Sequence, residues 1–183
     1  MFDTLLNLGV SALGKYFSAA NDYKALLESK TVALRALYLE IQANIDLLDI
    51  IKLDNITKEK VYSKSIKSII SNLEMQMIAS VIFSDNAVSK ELAKQFAFYK
   101  DIEETAENDN KKKKVKKTPL QAMVFILRKT SILQKLASYE DEEDKDIVST
   151  LRLKVRITNI KTHLLFLKDF LKELNKEEKF LFE

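Results

Sequence analysis

Apolar residues recur along most of this chain at the three- and four-residue spacing that lays a stripe along one side of a helix. The longest stripe lies towards the C-terminus. Leu153, Ile157, Ile160, Leu164, Leu167, Leu171 and Leu174 follow one another at spacings of four, three, four, three, four and three. The pattern predicts a helix from Asp146 to about Lys176 with this seam turned to the core. Residues 149–158 (STLRLKVRIT) also alternate apolar and polar, which is a strand signal. The helical period uses the same leucines and runs on for two further heptads with no Gly or Pro in between, so the helix is the expectation adopted.

The same spacing predicts the remaining elements. Leu6, Val10, Leu13, Phe17 and Ala20 make a short amphipathic N-terminal helix over 2–20, weakened by Gly9 and Gly14. A long helix from Tyr23 to about Ile51 carries Leu27, Leu34, Leu37, Ile41, Leu48 and Ile51, with Asn44 on the same stripe and Glu40 one turn before it. A buried Asn needs partners and can fix the register between helices. A third helix carries Tyr62, Ile66, Ile69, Leu73, Met77 and Val81 and ends at Phe83. Ser84-Asp85-Asn86 caps a fourth, with Val88, Leu92, Phe96, Tyr99 and Ile102, fading by Asn108. Thr118, Pro119 and Gln121 spell a capping box with proline at the first helical position, so a fifth helix runs from there to about Tyr139. Its opening, Leu120 to Leu127, is apolar almost all round, which places it between several neighbours.

Composition narrows this to an all-α bundle of five or six helices, mostly antiparallel, in one domain spanning 1–183. Two glycines and one proline in 183 residues leave little material for the tight turns of sheets. Apolar residues at 46% supply a core, and no run of about 20 of them exists to span a bilayer. With no cysteine and one histidine, neither a disulfide framework nor a zinc site is expected. Asp3 stands where a secretory leader would be basic, so a cytoplasmic location is expected.

Charge is uneven although the net value is only +3. Residues 107–117 (ENDNKKKKVKK) read as a loop, and Lys111, Lys112, Lys113, Lys114, Lys116 and Lys117 make a cationic run suited to phosphates. It has no interleaved aromatics or arginines to read bases. Residues 140–146 (EDEEDKD) form an acidic loop. The helix between the two runs is about 33 Å long and the screening length is about 8 Å, so the runs are free to meet opposite charge on another molecule.

Phosphate loops, nucleophile motifs and clustered metal ligands are all missing from the sequence, and no cofactor is expected. One pair carries chemistry: Arg156 and His163, six residues apart and about 10 Å apart on one side of a helix. It resembles the R-x4-6-H motif of the HEPN family of small, often dimeric helical bundles, many of them metal-independent ribonucleases. The resemblance implies acid–base work for His163 and phosphate stabilisation for Arg156. It covers two residues only. The function expected first is therefore a non-enzymatic scaffold or adaptor that associates with a protein partner or with itself, as a homo-oligomer or obligate complex. A HEPN-like ribonuclease stands second, and a nonspecific nucleic-acid-binding accessory protein using the lysine run third.

Overall fold

The computed structural model describes residues 28–51, 64–98, 100–105, 112–138 and 153–181. The expected helix over 2–20, the acidic run 140–146 and Lys111 lie outside the described residues, as do Leu27, Tyr62, Tyr99 and Tyr139. The protein is mostly helical, with a small two-stranded sheet. In chain order the elements are α1 (Lys30–Asp49), α2 (Lys64–Ser71), α3 (Gln76–Phe83), α4 (Ala87–Gln95), β1 (Lys100–Thr105), β2 (Lys112–Lys117), α5 (Pro119–Ala137) and α6 (Leu153–Glu178).

The α6 seam packs as its spacing predicts: Leu153, Ile157, Ile160, Leu164, Leu167 and Leu171 are buried and Leu174 is half-buried. Around it lie α5, α1 and β1. Lys30, at the start of α1, pairs with Glu178 at the end of α6, and Asp49, at the end of α1, pairs with Lys161. Ion pairs at both ends make the two helices antiparallel. The start of α5 is also as expected: the Thr118 hydroxyl accepts from the Gln121 amide while the Gln121 side chain accepts from the Thr118 amide. That arrangement satisfies two of the amides a helix start leaves open. α5 then packs on α6, α2 and α3.

Two expectations need correction. The single helix expected to end at Phe83 is broken into α2 and α3, with residues 72–75 between them. A break strands backbone groups that must find other partners. Three polar side chains from other helices provide them. Asn44 brackets Glu74, accepting from its amide at 2.9 Å and donating to its carbonyl. Gln134 donates to the carbonyls of Ile70 and Leu73. The Glu40 carboxylate accepts from the Met77 amide at 2.7 Å and the Ile78 amide at 2.9 Å, capping α3. Burial pushes the Glu40 carboxyl up to about 7, against the pull of those amides.

The second correction adds a small hairpin to a mostly helical fold, where the end of the fourth helix and the lysine loop were expected. The fourth helix stops at Gln95, and Lys100–Thr105 is a strand paired antiparallel with Lys112–Lys117. Its register sets Asp101 opposite Lys116, Glu103 opposite Lys114 and Glu104 opposite Lys113. Opposite charges face each other across the ladder, which relieves the repulsion that a run of lysines would suffer alone. Ile102 is buried on the inner face of the hairpin, and Val115, its ladder partner on the same face, is half-buried. Phe96 closes the turn out of α4, buried edge-to-face on Phe170 with ring centroids 4.9 Å apart.

No single helix among the described residues is long and apolar enough to cross a membrane. The bent pair α2 and α3 passes that test only when joined, and its Ile66, Ile70, Met77, Ile78 and Val81 lie in the core.

Candidate functional site

The densest polar chemistry lies where the hairpin rests on α6. Asn159 and His163, one turn apart, are buried on the side of α6 that the hairpin covers. The Asn159 amide accepts from the Thr105 amide at 2.8 Å and donates to the Thr105 carbonyl at 3.0 Å, so it pairs with the end of β1 as a neighbouring strand would. The inner face of the hairpin adds Glu104 and Lys117, and α5 adds Phe125.

His163 is 0% exposed. Its Nδ1 lies 2.7 Å from the Asn159 carbonyl, which can only accept, so Nδ1 carries the proton and donates. Nε2 is then a lone pair, 2.9 Å from the Lys117 ammonium, which donates to it. Lys117 also donates to Glu104 Oε1, which sits 3.1 Å from the same Nε2. The Phe125 ring stacks on the imidazole, centroids 4.0 Å apart and 12° from parallel, and the Lys117 Nζ lies 4.2 Å from the Phe125 centroid. One lysine thus serves a carboxylate, an imidazole and an aromatic face.

The electrostatics agree with this proton placement. Burial, reinforced by the Lys117 charge, pushes the His163 imidazole down to about 4, against the Asn159 carbonyl and Glu104. Burial also works against the Glu104 carboxylate, but the hydrogen bond and charge of Lys117, with His163, hold it below its ordinary value. At neutral pH the cluster is an ammonium–carboxylate pair over a neutral ring. Its partners are satisfied internally, and the ring presents no surface to a substrate.

The residues singled out in the sequence are dispersed. Arg156 is half-buried on α6, two turns before His163. Of the cationic run, Lys112, Lys114 and Lys116 lie on the exposed face of β2 with Asp101 and Glu103 opposite, Lys113 is exposed beside Glu104, and only Lys117 joins the histidine. Sequence reasoning missed Glu104, Phe125 and Asn159. The Asn159–His163 spacing of four was a signal for Asn159, whereas nothing local marks Glu104 or Phe125. Among the described residues no group of three or more His, Cys, Asp or Glu side chains is placed to hold a metal ion. Neither models of known protein families, nor curated proteins, nor solved structures give a match to this chain.

A second surface stands apart from this cluster. On α1 the side opposite the core carries Val32, Leu39, Ala43 and Ile50, all exposed, with Leu39 at 59% and Ile50 at 64%. These positions follow at spacings of seven, four and seven, so they form one outward apolar row.

Proposed function

We propose that the chain is a non-catalytic helical scaffold or adaptor that works by protein–protein association. The observation that carries this reading is the outward apolar row on α1. Large aliphatic side chains aligned on a solvent face forgo the gain of burial unless something covers them, and such rows mark interaction surfaces. The histidine cluster supports the same reading by how its groups are occupied: Nδ1 of His163 donates to the Asn159 carbonyl, while Nε2, Lys117 and Glu104 bind one another and hold the hairpin to α6.

The HEPN-like reading ranks below it. Acid–base catalysis needs a histidine within hydrogen-bond reach of the substrate, and His163 is enclosed by Phe125, Lys117 and Asn159. The nucleic-acid reading is weakened by register, because the acids of β1 offset the outer lysines of β2.

The test has two arms on the full chain. Light scattering at low and high salt should give a mass above the 21.1 kDa of one chain. Incubation with single-stranded RNA should leave it intact. Cleavage that disappears in both His163→Ala and Arg156→Ala would overturn the reading in favour of the nuclease.

A further inference from the structure

The outer face of α1 holds more than scattered leucines. Val32, Ala36, Leu39, Ala43, Asp46 and Ile50 succeed one another at spacings of four, three, four, three and four, a coiled-coil seam on the side of α1 away from its core face, with Ala36 half-buried at the seam edge against the core. The seam spans about 27 Å. Its order is self-complementary when reversed. With a second copy running antiparallel about a two-fold axis level with residue 41, Leu39 meets Ala43, Val32 meets Ile50 and Ala36 meets Asp46. Large residues fall against small ones at the centre, where the helices approach most closely, and aliphatic against aliphatic at both ends.

The flanking charges follow the same symmetry. On one flank of the seam Arg35 stands towards the start of α1 and Asp49 towards its end, with Asp46 at the seam edge on that same side. In an antiparallel two-fold pair, like flanks face one another, so Arg35 of each copy comes beside Asp46 and Asp49 of the other. In a parallel pair opposite flanks would face, which would leave Arg35 of each copy away from Asp46 and Asp49 of the other. Arg35 and Asp49 are also held in place. Arg35 Nε donates to the Phe180 carbonyl at 2.8 Å, and Asp49 is paired with Lys161 of α6.

We infer that the outer face of α1 is a homodimer interface, occupied by α1 of a second copy of this chain in antiparallel two-fold register. The inference rests on the association reading above and names its partner and surface. Two-fold pairing gives a closed assembly, with each seam covering the other and leaving no further copy of the surface open.

The chain has no cysteine, so introduced ones report cleanly. Leu39→Cys and Ala43→Cys are made separately in the full chain and oxidised so that only directly facing thiols join as a disulfide, each alone and mixed. Both positions point away from the core, so both variants should stay folded, with the wild-type helical circular-dichroism spectrum. The register predicts a cross-linked dimer chiefly in the mixture, because residue 39 of one copy lies against residue 43 of the other. Asp46→Arg, which sets Arg35 against a new cation, should weaken the dimer by several-fold. Efficient linking of Leu39→Cys alone would overturn the antiparallel register. A dimer mass with no 39–43 link in the mixture would overturn this surface while leaving the association reading standing. A monomer mass with no link would also overturn the inference. Failure of the association reading is detected separately, by RNA cleavage that depends on His163.

Discussion

Glu40→Gln should change the shape of the pH–stability profile rather than only its height. Glu40 is buried with a carboxyl raised from 4.5 to about 7, so the native state holds its proton more tightly than the unfolded chain does. The stability from this group is fully present below pH 4.5 and is lost as pH rises to about 7, a loss of about 3 kcal/mol at about 1.4 kcal/mol per pH unit. His163 has the opposite sign. Its imidazole falls from 6.5 to about 4, so its contribution is complete above pH 6.5 and is lost as pH falls to about 4, again about 3 kcal/mol. Between pH 4.5 and 6.5 the two slopes oppose, and the wild type should be nearly level there. Glutamine cannot titrate, so the variant should show the histidine slope alone, with stability rising from pH 4.5 to 6.5. The assay is urea unfolding at a series of pH values, comparing midpoints at constant m-value. The stability of wild type relative to Glu40→Gln should fall by about 3 kcal/mol from pH 4.5 to above 7. A difference that stays constant, or rises with pH, would refute the claim that Glu40 is a desolvated cap.

Two further changes probe the packing. Glu104→Gln leaves the Lys117 ammonium half-enclosed beside His163 without its counter-charge, and should cost about 3 kcal/mol. Hydrogen exchange should quicken at Thr105 and along the hairpin, and unchanged protection there would mean that the cluster does not hold the hairpin. Leu164→Asp sets an unpaired charge at a fully buried position of the α6 seam and should unfold the domain. An unchanged melting temperature would contradict the seam.

Local signals were the legible ones. The α6 leucines and the Thr118–Gln121 capping box each lie within a few turns of one helix, and both formed as their spacing indicated. The break over 72–75 escaped notice because its partners are distant: Glu40 and Asn44 stand out as polar residues on an apolar stripe, but their targets lie some 30 or more residues on. The lysine run misled for a related reason. Taken alone, like charge argues for a loop, and the acids that make it a strand are supplied by 100–105, a stretch that also satisfied a helical period through Ile102. His163 was conspicuous as the only histidine, yet its environment is set by Glu104, Lys117 and Phe125, from three separate elements brought together by tertiary packing alone.

The central claim is that the outward row on α1 joins two copies of the chain. Sedimentation equilibrium over a wide concentration range, on the full wild-type chain and on Leu39→Glu, tests it most directly. The wild type should shift reversibly from 21.1 kDa to twice that mass, while Leu39→Glu should stay at one chain and keep the helical circular-dichroism spectrum of a folded protein, since residue 39 is turned away from the core. A wild type that remains a monomer throughout, or a Leu39→Glu variant that dimerises as tightly as the wild type, would contradict it.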